Sequence, residues 1–178
     1  MKRNMKTTNI IVYVFFFILF LVSCEKNKMY VPPREMLIKT VVESDNVEEC
    51  VDAYNSFLFH YYDEAVLPLS VHMIEKYGYG EACNHMYGKI LRDFKNPSVS
   101  IDSATQKYML YYLKKGIELK DTASVWIMCR LCMSGTFVEK DTIMAKKLLL
   151  DFFSAEKVES LFWPYLKRHT DTVNIPIL

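Results

Sequence analysis

The sequence predicts an all-α protein, a short α-solenoid built from antiparallel helix pairs. Apolar residues recur at helical spacing along most of the chain, and strand-like alternation is nowhere sustained. Only 5 glycines and 6 prolines punctuate 178 residues, and they fall mostly at the edges of the periodic segments, where helices start and stop. Similar two-helix patterns return after about 40 residues, a period typical of stacked helical repeats.

The first element is a leader. Lys2, Arg3 and Lys6 form a positive n-region, followed by an uncharged run from Ile10 to Val22. As a helix rising ~1.5 Å per residue, that run spans roughly 20 Å, short of the ~30 Å hydrocarbon core of a bilayer. Its length suits an export signal better than a transmembrane anchor. The run closes on Leu21-Val22-Ser23-Cys24. This stretch resembles the bacterial lipobox, with an aliphatic residue three before a cysteine and small residues just ahead of it. The resemblance implies a lipoprotein signal peptide over 1–23, cleavage before Cys24, and a covalent lipid (diacylglycerol with palmitate-type acyl chains) on the Cys24 thiol. An ordinary signal peptide, or an uncleaved signal anchor with a chance cysteine, is the alternative. Residues 24–33 then read as a lipidated tether: charge at Glu25, Lys26 and Lys28, then Pro32-Pro33. Ten such residues reach about 30 Å at most, which keeps the helical body close to the membrane. Where Asp follows the lipidated cysteine, the related sorting rule retains a lipoprotein at the inner membrane; Glu25 therefore leans towards the outer membrane. The periplasmic or surface side stays open.

The body, 34–170, is read as helices in succession. Pro33 suits the first helical position of a segment reaching Glu43. Asp45-Asn46-Val47-Glu48 has the acceptor-x-x-Glu form of a capping box, and Val47, Val51, Tyr54, Leu58 and Tyr61 then mark one apolar face. Asp63-Glu64 restarts the chain into a helix reaching Tyr77, with Pro68 tolerable only in its first turn and Gly78 and Gly80 ending it. Further helices are expected near 81–93, 103–119, 122–134, 141–154 and 156–168. A tail, 171–178, closes the chain.

The clearest repeats are 83–119 and 124–155, with the flanking helices as caps. Ser124 to Phe153 resembles a Sel-one-like repeat, a relative of the tetratricopeptide repeat, through Gly135, Val138, Asp141 and Ala145 at the family spacing. The jobs these residues suit are physical. Gly135 permits a positive-φ helix end, Val138 plugs the loop into the core, Asp141 caps the second helix, and Ala145 allows close approach of two helices. The first unit keeps Gly88, Val99 and Asp102, and has Gly116 where the family has Ala. It departs at Phe94, where the family has a loop glycine; in the second unit Cys129 and Cys132 replace Gly and an aromatic. Solenoids need about three stacked units, so the flanking helices must complete the core.

Charge excludes one class of function. Three of the 22 basic residues precede Cys24, leaving 19 against 21 acidic ones. Such a body has no basic footprint for nucleic acid and no polybasic cluster for membrane docking. Cys129-x-x-Cys132 has the spacing of a redox or metal pair, but it falls mid-helix with no strand before it and no second close pair. Buried, core-forming thiols are the simpler reading. Cys50 and Cys83 are isolated, and one disulfide among these four cysteines remains open. The histidines His60, His72, His85 and His169 form no ligand pair, and His60-Tyr61-Tyr62-Asp63-Glu64 reads as a helix end. No cofactor beyond the lipid on Cys24 is expected.

Tyr108, Tyr111 and Tyr112 form a stripe on one helix, as core or as anchors for a partner. The expected function is a non-enzymatic, lipid-anchored adaptor in the cell envelope, reaching the membrane through its anchor and presenting a protein- or peptide-binding surface. The alternatives are an immunity-type protein that neutralises an envelope-targeting toxin, a redox protein built on Cys129 and Cys132, and a structural brace.

Overall fold

Side-chain caps and glycine stops divide the chain into short helices. The computed structural model describes residues 30–94 and 101–169. The expected export signal 1–23, Cys24, most of the expected tether, Val99 and the tail 171–178 lie outside the described residues. Within them the structure is helical, without a strand.

Helix α1 (Arg34–Glu43) starts directly after Pro33, which stands at the N-cap and not at the first helical position. Helix α2 (Val47–His60) is capped by Asn46, whose side chain accepts from the N–H groups of Glu48 at 3.0 Å and Glu49 at 3.3 Å. The capping acceptor is therefore not Asp45. A helix whose first residue is Val47 needs its acceptor immediately before it, and Asp45 instead reaches the Lys76 ammonium at 3.5 Å. The buried face of α2 also differs from the one its aliphatic spacing suggests. Cys50, Ala53, Tyr54 and Phe57 point inward, while Val47 is exposed.

Helix α3 (Val66–Tyr77) carries Pro68 in its first turn, where a missing N–H costs nothing. It ends at Gly78, whose φ of 63° is the left-handed conformation glycine adopts without penalty. Gly80 does not end this helix; it is the N-cap of α4 (Glu81–Asp93). Asp102 caps α5 (Ser103–Glu118), accepting from the N–H groups of Ala104 at 2.8 Å and Thr105 at 3.0 Å. Asp121 caps α6 (Thr122–Ser134), and Asp141 caps α7 (Thr142–Phe152). The last segment is not one regular helix. A short α8 (Ala155–Lys157) passes through a π-helical turn (Val158–Phe162) into α9 (Trp163–His169). Pro164 has no N–H to continue the ladder, and the bond from the Trp163 N–H to the Val158 carbonyl is the local adjustment beside it.

From α1 to α7 each helix packs on its sequence neighbour; α1 also touches α3, α4 touches α6, α7 meets the π-helical turn, and α9 folds back onto α6. The contacts make a layered stack closed at one end by α9. Its apolar interior has two centres. Val41, Cys50, Tyr54, Phe57, Val66 and Met73 lead the first, and Met109, Leu113, Val125, Cys129, Leu149 and Val158 lead the second. Helices α4 and α5 feed both: Met86 and Tyr112 belong to the first, Tyr87 and Leu113 to the second. Full burial of each large side chain contributes about 1.5–3 kcal/mol, so α4 and α5 weld the two halves together.

Candidate functional site

Helices α3 and α5 both lie against α4, and a cleft of about 360 Å³ opens between them. Ile74, Glu75 and Gly78 line it on the α3 side, and Tyr111, Tyr112, Lys115 and Leu119 on the α5 side. Two turns lock its closed end. A Cβ on Gly78 would meet the Leu119 side chain at 3.7 Å, and one on Gly80 would crowd the Asp121 Cβ at 3.1 Å and the Leu119 Cβ at 3.2 Å. The α3–α4 turn is thus seated on the α5–α6 turn, and this nesting holds the cleft walls in register.

The tyrosine stripe divides by depth. Tyr112 is only 8% exposed and belongs to the core, so it is not a free surface anchor; Tyr111 is 60% exposed and Tyr108 44%. Both outer rings meet Tyr112 edge to face, with centroids at 4.9 Å for Tyr108 and 5.1 Å for Tyr111. Tyr108 reaches Tyr112 one helical turn on, four residues later, while Tyr111 is its chain neighbour. The Tyr112 phenol is pushed up to about 12 by burial, by its hydrogen bond with Tyr108 and by the negative charge of Glu75. It stays neutral at physiological pH. Lys115 is engaged by Glu118 at 3.3 Å. The lining offers apolar and aromatic walls, one carboxylate, and one ammonium that is paired with Glu118. Ile74, Glu75, Gly78, Lys115 and Leu119 are not marked as cleft residues by the sequence. Gly78 carries a helix-stop signal, but the meeting of α3 with α5 has no local signature.

The repeat-type positions are placed as follows. Gly88 is half-buried on α4 and faces the Tyr62 hydroxyl, 3.4 Å from where a Cβ would stand; Arg92 stacks over the other part of that tyrosine, 4.0 Å from its centroid. Gly116 is the tightest point of the molecule's glycines. A Cβ there would overlap the Ser124 hydroxyl, stand 2.8 Å from the Ser124 Cβ and 3.0 Å from the Cys83 Cβ. Helices α4, α5 and α6 converge there. Gly135 ends α6 at φ 75°, donating its N–H to the Leu131 carbonyl. Val138 is half-buried against the second core centre. The Asp141 carboxylate accepts the Met144 N–H at 2.8 Å, and Ala145 is wholly buried. Asp121, which the sequence does not flag, is a buried cap that accepts from the Ser124 N–H at 2.7 Å and from its hydroxyl.

The four described cysteines, Cys50, Cys83, Cys129 and Cys132, are all free and buried. Cys129 donates to the Ala145 carbonyl at 3.3 Å across the α6–α7 contact, so its thiol acts as a packing and bonding group. Burial pushes it up to about 12, with a smaller contribution from Cys132, opposite to the shift an activated thiolate requires. At the end of α2 the Asp63 carboxylate is occupied by the Arg34 guanidinium at 2.6 Å and the Ala65 N–H at 2.8 Å. Among the described residues no three metal-ligating side chains cluster, and no helix is long and apolar enough to cross a membrane. Cys24 lies outside the described residues.

In comparisons with known proteins, no family model matches the chain, no curated protein is significantly similar to it, and no solved structure matches it at a significant level.

Proposed function

We propose that this chain is a lipid-anchored protein of the bacterial cell envelope that acts as a non-enzymatic adaptor, holding a protein or peptide partner in the α3–α5 cleft. The observation that carries the reading is the cleft itself: an exposed tyrosine backed by a buried one, with a carboxylate on the opposite wall. Tyrosine supplies large contact area at low entropic cost, and such rings are common binding anchors. The stacked helix pairs, with a positive-φ Gly135 and caps at Asp102 and Asp141, support an α-solenoid of Sel-one-like type. Leu21-Val22-Ser23-Cys24 supports the lipid anchor, with the outer membrane as the favoured location. With a tether of about 30 Å at most, the partner is to be sought near the bilayer.

Metabolic labelling with a clickable palmitate analogue, combined with affinity capture from membranes, tests this reading. The natural chain is expected to carry the label and to retain a specific protein that Tyr111→Ala releases. A Cys24→Ala chain that remains equally labelled and membrane-bound refutes the anchor. A natural chain that retains no protein sensitive to Tyr111 refutes the adaptor role.

A further inference from the structure

The α3–α5 cleft has a charge pattern that specifies its occupant. Its acidic wall is Glu75, exposed on α3, which makes no salt bridge among the described residues. The neighbouring Lys76 is committed elsewhere, to the Ser44 carbonyl at 3.1 Å and to Asp45. Lys115, on the opposite wall, is already neutralised by Glu118 at 3.3 Å. Glu118 lies outside the cleft lining, so the lining itself holds one carboxylate and one ammonium, and Glu75 is the one of the two without an ion-pair partner among the described residues. The same cleft is lined by the Tyr111 ring, 60% exposed, which meets Tyr112 edge to face with centroids 5.1 Å apart. A carboxylate next to exposed aromatic faces is the chemistry that recognises a cation, through ring quadrupole and counter-charge together. A flat guanidinium fits it better than an ammonium, because it stacks on a ring while its edge meets a carboxylate.

We propose that the cleft takes an arginine side chain of the partner, stacked on Tyr111 and paired with Glu75. This rests on the adaptor reading of the same cleft and gives the partner its chemistry. An anionic partner would face Glu75 and have to displace Glu118 from Lys115. A wholly apolar one would strip water from Glu75 without replacing it, at a cost of several kcal/mol. Lys114 lies exposed on α5, outside the cleft lining.

The test uses the full lipidated chain in detergent micelles with ring-labelled tyrosines, titrated with N-acetyl-arginine methylamide and with its citrulline counterpart, which has the same shape without the charge. The expected result is saturable movement of the Tyr111 and Tyr112 ring signals by the arginine probe, with citrulline at least about tenfold weaker. Glu75→Gln should bring arginine down to the citrulline level, and Tyr111→Phe, which keeps the ring face, should retain binding that Tyr111→Ala loses. Glu75 and Tyr111 are both exposed, so these variants leave the core untouched. Equal binding of the two probes, or unchanged arginine binding in Glu75→Gln, overturns the proposal. A partner that crosslinks from position 111 and is not displaced by excess arginine probe also overturns it, while leaving the adaptor reading standing. Arginine-selective binding without any protein crosslinked from position 111 upholds the cation chemistry and removes the adaptor reading.

Discussion

Replacing Gly116 by alanine tests the packing scheme in a case where two principles predict opposite signs. Alanine is the better helix former by roughly 0.5–1 kcal/mol in a helix interior. Propensity alone therefore predicts a gain. The geometry predicts a loss, because the new methyl would overlap the Ser124 hydroxyl and stand 2.8 Å from the Ser124 Cβ and 3.0 Å from the Cys83 Cβ. Relief can come from separating α5 from α6, an overpacking cost of about 1–3 kcal/mol. It can also come from turning Ser124 away from the Asp121 carboxylate, which forfeits a hydrogen bond to a charged group worth about 1.5–3 kcal/mol. Set against the propensity gain, the routes leave a net loss of about 0–2.5 kcal/mol, centred near 1 kcal/mol. For a chain of this size a loss of about 1 kcal/mol lowers the Tm by about 2–4 °C. Thermal unfolding of the full chain followed by far-ultraviolet circular dichroism measures it. In a Ser124→Gly background the cost should shrink by about 1 kcal/mol or more, since the overlapping atoms are gone. A Gly116→Ala chain that melts higher than the natural one refutes the reasoning.

Asp141→Ala removes the side chain that accepts the Met144 N–H and should destabilise the fold by about 1 kcal/mol; an unchanged Tm would show that α7 is held by packing alone. Cys129 and Cys132 should resist iodoacetamide at pH 8 in the folded chain and react on unfolding, because burial holds both thiols protonated; rapid native-state labelling of either would contradict their placement. The Asp63 carboxyl is held below its ordinary 3.8, first by the hydrogen bond from Arg34. Its folded value lies below its unfolded one, so its stabilisation is complete above about pH 4 and is lost as pH falls through the lower folded value. Arg34→Gln should therefore flatten the acid limb of a Tm-against-pH curve; superimposable limbs would show that the ion pair is idle.

Much of the fold was legible because helix ends are written locally. Asp102 and Asp141 carry cap chemistry at the helix starts, and Gly78 and Gly135 carry stop chemistry at positive φ. Expected boundaries at Glu43, Tyr77 and Asp93 coincide with the observed ones. The inward face of α2 was less legible. Aliphatic spacing favoured Val47, but the stack buries Cys50, Ala53 and Phe57, because small side chains let a neighbouring helix approach and an aromatic one fills the space left. The burial of the Asp121 cap is not legible locally, because it follows from the meeting of α4, α5 and α6 after a turn at the positive-φ Lys120. The tyrosine stripe was visible, yet its division into a buried Tyr112 and an exposed Tyr111 depends on α3, which lies far away in sequence. Glu75 and Lys115 carry no motif; only the pairing of helices around α4 makes them neighbours.

Site-specific photo-crosslinking shows whether a partner is held in the α3–α5 cleft. A photoreactive phenylalanine derivative, which keeps an aromatic ring, is placed at position 111 or, as a control, at position 143 on α7, where Ile143 is 82% exposed, in the whole chain in cells. One discrete protein adduct is expected from position 111, abolished by Glu75→Gln, with none from position 143. The same adducts from both positions, or none from position 111, would contradict a partner in the cleft.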